Sequence, residues 1–314
     1  MCYSPTRRAP DHAKADLKKL LHQCNVRKTI ATYILTQLGL AGTVDPELKA
    51  STQSHNSDQP RQKEVSGADS NSDSHLPPSA ISSAENQAEK MEPAYVNTHR
   101  ELEDIFSDMH RHFEGKETDQ NWSVREKSVL KLRRLTQGNA PHHFTIVYLA
   151  GIKGMLDGIL KTVNSLRTTV STNGCHLVQE IAKAVGPGLD SMVEILLQSL
   201  IKLCGGTKKI SAQNGNVTVD AILANVTYNV RLMQHVWSAC QDKNVQPRTY
   251  ASVWLKTIIT KHSHHKSTLE HAGGLDLIEK CVKKGLGDAN PGVKESTRGT
   301  YWAFARLWPE RSEG

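Results

Sequence analysis

From Tyr95 onward, the apolar residues of this chain recur with the period of an α-helix. The clearest apolar face has residues at i, i+3, i+4, i+7, i+8 and i+11, namely Leu189, Met192, Val193, Leu196, Leu197 and Leu200. The strict alternation that is typical of strands does not extend over any useful length. The sequence therefore predicts an all-α fold.

The helical segments come in pairs that are separated by short polar turns. Five pairs follow one another at intervals of roughly 35–50 residues, the irregular spacing that is typical of HEAT and armadillo arrays. They are residues 98–113 with 122–137, 143–163 with 171–186, 189–203 with 210–225, 230–240 with 247–261, and 275–286 with 290–307. A helical hairpin buries its apolar face by stacking on its neighbours, so we expect a HEAT-repeat α-solenoid paddle with a row of turns along each edge.

The chain before this array has a different character. Residues 1–42 include two short amphipathic segments within 13–39, which we interpret as the tail of an upstream helical unit. Residues 43–94 are rich in Ser, Gln and Pro and poor in aromatic and branched side chains, so we predict a disordered linker. The HEAT-repeat domain is expected to occupy residues 95–314.

The charge is unevenly distributed. Residues 1–94 carry equal numbers of basic and acidic side chains, so the whole net charge of +7 lies in the helical array. A basic surface favours an acidic partner, whether nucleic acid, an anionic membrane or an acidic protein. Composition does not choose among these three, although no apolar run approaches the 18 residues of a membrane span.

One row of turns carries Lys or Arg near the start of each second helix. A lone cation is more often a solvated side chain, but its regular placement at five equivalent turns indicates a linear binding ridge. Trp122 follows the polar run 117–121, and its indole either folds back on the first hairpin or stands exposed as an interface anchor. The candidate binding residues are Trp122, Arg125, Arg167, Lys208, Lys209, Lys243, Arg248, Lys294 and Arg298.

The sequence contains little that would support catalysis or metal binding. GxxxxGK[ST], GxGxxG, GxSxG and HExxH do not occur. His262, His264, His265 and His271 lie in a polar connector without nearby Cys or paired carboxylates, and adjacent Cys175 and His176 face different ways on a helix. We therefore expect no enzyme activity, no cofactor and no metal site. The tryptophans beyond Trp122 are expected in the core, namely Trp237, Trp254, Trp302 and Trp308.

Four turn sequences together resemble a known family. They are NWSVR at 121–125, SLR at 165–167, TKKISA at 207–212 and DANP at 288–291, and the last of these leads to Tyr301 and Trp302. In this order they resemble the TOG domains of the CLASP family. The likeness is closest to the second TOG domain of the fungal members, which are mitotic spindle stabilisers. It covers about residues 95–308.

The resemblance implies a microtubule-associated protein that binds tubulin through its intra-repeat turns and uses no cofactor. It maps the tubulin contacts onto the nine candidate residues named above. It also implies stabilisation of dynamic microtubules during mitosis, with location in the cytoplasm, on the cytoskeleton and spindle, and in the nucleus during closed mitosis. A TOG domain usually has six helical hairpins, so we expect the sixth to be missing here.

The sequence leaves other functions open. A generic HEAT-repeat scaffold that binds an acidic protein partner would use the concave helical face instead of the turns. Nucleic-acid binding ranks third, and its mark would be steep salt dependence with any polyanion. An enzyme is the least favoured class. The oligomeric state cannot be read from the sequence.

Overall fold

The computed structural model describes residues 91–312, which contain helices and turns and no strand. The predicted all-α class is confirmed. The predicted solenoid arrangement is confirmed as well, as the two stacked layers described below show. The predicted helices in 1–42 and the linker up to residue 90 lie outside the described residues. The division of the chain into domains stays a prediction.

The α-helices are numbered in chain order. They are α1 His99–Phe113, α2 Trp122–Gln137, α3 Ala140–His143, α4 Thr145–Gly154, α5 Leu156–Val163, α6 Thr168–Val185, α7 Val193–Cys204, α8 Lys209–Asn225, α9 Val230–Cys240, α10 Val245–Lys261, α11 Lys266–Glu270, α12 Gly274–Leu286, α13 Pro291–Leu307 and α14 Pro309–Ser312. Short 3₁₀ helices lie at Gly186–Met192, Ser263–His265 and His271–Gly273.

Within residues 91–312 these elements form five helical hairpins, α1/α2, α4–α5/α6, α7/α8, α9/α10 and α12/α13. Two boundaries differ from the expected ones. The segment predicted as one helix over 143–163 is broken at Met155, whose backbone N–H donates to the carbonyls of both Gly151 and Ile152. The apolar face that begins at Leu189 starts in a 3₁₀ turn, and the α-helix itself begins at Val193.

The hairpins stack in two layers. The second helices pack side by side in chain order, α2 on α6, α6 on α8, α8 on α10 and α10 on α13. The first helices form the other layer, in which α1 packs on α4 and α9 packs on α12. One apolar core runs between the layers from Val96 to Trp308. Each hairpin therefore buries its apolar face against its neighbours, as the solenoid requires.

Polar side chains fix how each second helix sits on the next. Each junction has a bond between residues that are 37–48 positions apart in the chain. The bonds are Arg133 Nη2 to Glu180 Oε1 at 2.8 Å, Asn214 Nδ2 to Thr172 Oγ1 at 2.8 Å, Thr257 Oγ1 to Asp220 Oδ1 at 2.5 Å and Thr300 Oγ1 to the Ser252 carbonyl at 2.7 Å. Because these groups are buried or half-buried, a shifted register would leave them without partners.

The expectation for the tryptophans is correct except at Trp302. Trp254 and Trp308 are fully buried, and their indole N–H groups donate to Asn216 and Glu270. Trp237 is partly buried against the core. Trp302 is 68% exposed, because Phe304 faces the core and a residue two positions away points to the opposite side of the helix.

The helical stretch Thr168–Cys204 is long enough, and on average apolar enough, to cross a membrane. This finding rests on length and composition alone. In the fold the stretch is two helices of successive hairpins, α6 and α7, separated by a 3₁₀ turn in which Gly186 has φ of +49°. Helix α6 packs between α2 and α8, so its apolar residues belong to the solenoid core.

The close approach of α1 and α5 depends on a glycine. A Cβ at Gly158 would lie 2.3 Å from the Cβ of Phe113, whereas a Cβ at Gly154 would meet nothing within 4 Å. We predict that Gly158→Ala lowers the free energy of unfolding by about 1–3 kcal/mol through overpacking. Gly154→Ala is the matched control and should stabilise by up to about 1 kcal/mol through helix propensity. Urea denaturation followed by circular dichroism measures both; equal effects would contradict the close packing.

Candidate functional site

The five turns within the hairpins lie at residues 114–121, 164–167, 205–208, 241–244 and 287–290. We call this row, together with the first turn of each following helix, the turn edge. Hydrogen bonds join every turn to the next, although the bonded residues are 39–50 positions apart in the chain. The turns are therefore neighbours in space in their chain order, and the predicted row exists as one edge of the stack.

Glu117 and Lys208 make the first two of these connections. Glu117 Oε1 accepts from Arg167 Nη1 at 2.9 Å and from the Ser165 hydroxyl at 2.8 Å, which joins the first turn to the second. Lys208 Nζ donates to the Leu166 carbonyl at 2.6 Å, which joins the third turn to the second.

Asn244 and Arg248 make the other two connections. Asn244 Nδ2 donates to the Gly205 carbonyl at 3.2 Å, which joins the fourth turn to the third. Arg248 Nε contacts Asp288 Oδ2 at 2.8 Å, which joins the fourth turn to the fifth. Asn290 stands directly before Pro291, a pair that predicts a helix start from the sequence, and it caps α13 by accepting from the backbone N–H groups of Gly292 and Val293.

Trp122 is the first residue of α2 and is half-buried. The guanidinium carbon of Arg167 lies 5.3 Å from the centroid of the Trp122 ring, in a cation–π contact. Arg167 also pairs with Glu117 and Asp119. The indole is thus held at the surface by an arginine of the next hairpin, an arrangement that combines parts of the two expected alternatives.

Arg125 does not lie on the surface, and the expectation of a direct partner contact there needs correction. Its side chain is fully buried, Nε donates to the His112 carbonyl at 3.1 Å, and Nη2 donates to the Glu114 carbonyl at 2.9 Å. These carbonyls belong to the end of α1 and the turn that follows it. Arg125 therefore holds the first turn in shape, and no part of it is available to a partner in this conformation.

Arg248 likewise serves mainly to hold the turns in place. Its Nη1 donates to the carbonyls of Asp242 and Lys243 at 3.0 Å, while Nε and Nη2 reach the buried Asp288 carboxylate. The hydrogen bonds from Arg248 hold the pKa of Asp288 below its ordinary value of 3.8. The guanidinium thus fixes the fourth turn to the fifth and leaves little of itself to a partner.

The remaining candidates are accessible. Lys208, Lys209 and Lys243 are exposed, and Lys294 is half-buried. Arg298 is exposed and pairs with Glu295 one helical turn away. The structure therefore places eight of the nine candidates on or beneath the turn edge, while Arg298, the eighth residue of α13, lies beyond its first turn. The buried or half-buried Arg125, Arg167 and Arg248 hold the turns, whereas Lys208, Lys209 and Lys243 face solvent.

Four exposed apolar residues on this edge were missed by the sequence reasoning. Their exposed fractions are 44% for Val124, 82% for Leu166, 63% for Ile210 and 38% for Val245. Val124, Leu166 and Ile210 are chain neighbours of candidate cations, and Val245 opens the helix that carries Arg248. In the sequence, the available signal for them was a single apolar residue in or directly beside a polar turn. The edge therefore offers apolar contact area beside its charge.

The groups considered for catalysis are not assembled into a site. Among residues 91–312, no group of three or more His, Cys, Asp or Glu side chains could hold a metal ion. The ring Nε2 of His262 lies 3.0 Å from the Leu223 carbonyl. Burial raises the pKa of the Cys175 thiol to about 11, so this cysteine is protonated at neutral pH.

Comparison with known proteins places this geometry in context. Residues 102–314 match the family model described as "CLASP N terminal". Protein STU1 of Coccidioides immitis is 50% identical, with 97% of this chain and 28% of that protein covered. Protein STU1 of Chaetomium globosum is 51% identical, with 98% and 24% covered. Protein stu1 of Aspergillus fumigatus is 59% identical, with 76% and 18% covered. The chain spans less than a third of the length of each of these relatives.

The Arg248–Asp288 pair gives a testable pH dependence. Because folding lowers the pKa of Asp288, the pair's contribution is fully present above the carboxyl's ordinary pKa of 3.8 and is lost as the pH falls through the lower folded-state value. We predict that Asp288→Asn lowers the free energy of unfolding by about 3 kcal/mol at pH 7, with a gap to the wild type that narrows below about pH 4.

Urea denaturation between pH 3 and 7 measures this gap. Asp276→Asn is the matched control, since Asp276 is 65% exposed and pairs with Arg311 at the surface. It should change the free energy of unfolding by less than about 1 kcal/mol at any of these pH values. A gap for Asp288→Asn that stayed constant with pH would contradict the ion-pair assignment.

Proposed function

This chain belongs to the CLASP N-terminal family, and we infer from that membership, together with the turn edge, that it is a microtubule-associated protein that binds tubulin. The membership agrees with the resemblance identified from the turn sequences. The observation that carries the tubulin proposal is the row of five connected turns, which carries both accessible cations and exposed apolar residues. Both kinds of group are needed for a specific protein interface.

In the proposed binding surface, arginines and lysines have different roles. Arg125, Arg167 and Arg248 fix the turns, so the surface is ordered before a partner arrives and little conformational entropy is lost on binding. Exposed lysines then attract an acidic surface and orient it; at the third and fourth turns these are Lys208, Lys209 and Lys243. The apolar residues beside them, Leu166 above all, supply the area that is buried in the complex.

The function that we propose requires no catalysis and no cofactor. Binding of tubulin along the turn edge would stabilise dynamic microtubules and serve the mitotic spindle. The corresponding places are the cytoplasm, the cytoskeleton and spindle, and the nucleus during closed mitosis. Binding by the second-helix layer is the alternative, as in a generic scaffold for an acidic protein partner, and it is favoured by the exposed cations Lys127, Lys131 and Arg134 of α2.

Charge reversal at the third turn tests the proposal directly. We predict that Lys209→Glu weakens binding to free tubulin by about fivefold or more, because it replaces an attraction by a repulsion at the interface. Size-exclusion chromatography and fluorescence titration of the 314-residue chain with tubulin measure the effect.

Lys183→Glu is the control for this reversal. It makes the same charge change on an exposed residue of α6, about 22 Å along the helix from the turn edge. It should leave binding within about twofold of the wild type, as a screened distant charge does. Equal losses in both variants would indicate net charge or binding by the second-helix layer, and no loss in Lys209→Glu would remove the turn edge from the interface.

An uncharged substitution tests the apolar part of the edge. Leu166 is 82% exposed, so Leu166→Ser should leave folding intact while lowering tubulin affinity by about fivefold through lost apolar burial. Ile195→Ser, on the exposed side of α7 in the other layer, is the matched control and should not change affinity. If Ile195→Ser alone weakened binding, the first-helix layer would be the interface and the turn edge would not.

A further inference from the structure

Two exposed carboxylates pair with arginines on or next to the turn edge, whereas the exposed Asp242 of the fourth turn accepts from the backbone N–H of Asn244. Asp119, in the first turn, pairs with Arg167 Nη2, and its side chain is 94% exposed. Glu295, just beyond the first turn of α13, pairs with Arg298 Nη1, and its side chain is 71% exposed. They lie towards opposite ends of the row, because one belongs to the first hairpin and the other to the fifth.

Three lysines between these two pairs lack such partners. Within residues 91–312, Lys208, Lys209 and Lys243 have no carboxylate within ion-pair distance. Lys208 Nζ donates to a backbone carbonyl, which leaves its charge uncompensated. The third and fourth turns therefore carry three lysines without an ion-pair partner, and an exposed arginine–carboxylate pair lies towards either end of the row; the Arg248–Asp288 pair between them is buried or half-buried.

Asp119 is not required to hold Arg167. Glu117, whose side chain is only 14% exposed, keeps Arg167 Nη1 at 2.9 Å, and the Trp122 ring lies beside the guanidinium. The Arg298–Glu295 pair joins residues three apart on one helix and bridges no two hairpins. Exposed pairs of this kind contribute about 0–1 kcal/mol to stability, so stability gives little reason for either carboxylate.

We propose that Asp119 and Glu295 are specificity determinants that exclude uniform polyanions from the turn edge, an inference that rests on the proposed protein-binding function. A nucleic acid gains affinity from every phosphate that meets a cation, because counterions are released. A carboxylate in the row repels the phosphates and occupies an arginine that would otherwise bind one. A folded protein partner can place a cation opposite each carboxylate, so it is not penalised in the same way.

The test compares tubulin with a short DNA duplex as two probes of the same edge. The double variant Asp119→Asn, Glu295→Gln should bind the duplex about fivefold or more tightly than the wild type, since two repulsive charges are removed from the row. The slope of the logarithm of its DNA affinity against the logarithm of salt concentration should also become steeper. Its tubulin affinity should not increase.

The control neutralises two other exposed carboxylates, which lie on first helices. Asp157→Asn, Asp276→Asn makes the same change of net charge at side chains that are 84% and 65% exposed and pair with Lys161 and Arg311. Thermal unfolding must give the same midpoint for both double variants and the wild type. The control should raise DNA affinity by less than about twofold, through net charge alone.

The other outcomes overturn the proposal in distinguishable ways. If both double variants gained DNA affinity equally, net charge and not position would be responsible. If the Asp119→Asn, Glu295→Gln variant gained affinity for tubulin and DNA alike, the carboxylates would oppose anionic partners in general and confer no specificity. A wild-type chain that bound no tubulin would contradict the proposed function, while the DNA comparison would still decide the role of the two carboxylates.

Discussion

A helical hairpin of this chain can bury its apolar face only against the hairpins beside it, and the rest of the structure follows from that constraint. The core between the two helical layers is continuous from Val96 to Trp308. Where α5 approaches α1, the space against Phe113 admits only a glycine, Gly158. Stacking of this kind is non-directional, so the apolar core by itself would tolerate sliding of one hairpin past the next.

Polar contacts remove this freedom. Bonds such as Thr300 to the Ser252 carbonyl fix the register of the second helices, and the bonds between successive turns fix the edge at which each second helix begins. One consequence is functional. A turn that is tied to its neighbours presents its side chains at a set spacing, so the turn edge is an ordered surface and not five independent loops.

Arginine and lysine have different tasks on this edge, and the difference follows from their chemistry. Guanidinium groups donate several hydrogen bonds in a fixed plane, which suits Arg125 to turn carbonyls and Arg248 to a carboxylate and two carbonyls at once. Ammonium groups are strongly hydrated and flexible, which suits Lys209 and Lys243 at the solvent. Buried arginine charge is tolerated because carbonyls and carboxylates surround it.

The sequence by itself determined the elements that depend on near neighbours in the chain. The period of the apolar residues predicted the helices, the polar breaks predicted the turns, and Asn290 before Pro291 predicted a helix start that the structure has.

Whether a cation is free or buried could not be predicted in this way, because it depends on residues far along the chain. Arg248 meets Asp288 at a separation of 40 positions, and Arg167 meets Glu117 at a separation of 50. Trp302 was misplaced for a related reason, since its position on α13 is set by how that helix packs on α10. The tertiary structure alone decided which side chains of the turn edge hold the fold and which ones face a partner, since burial and pairing are properties of the stack and not of any single hairpin.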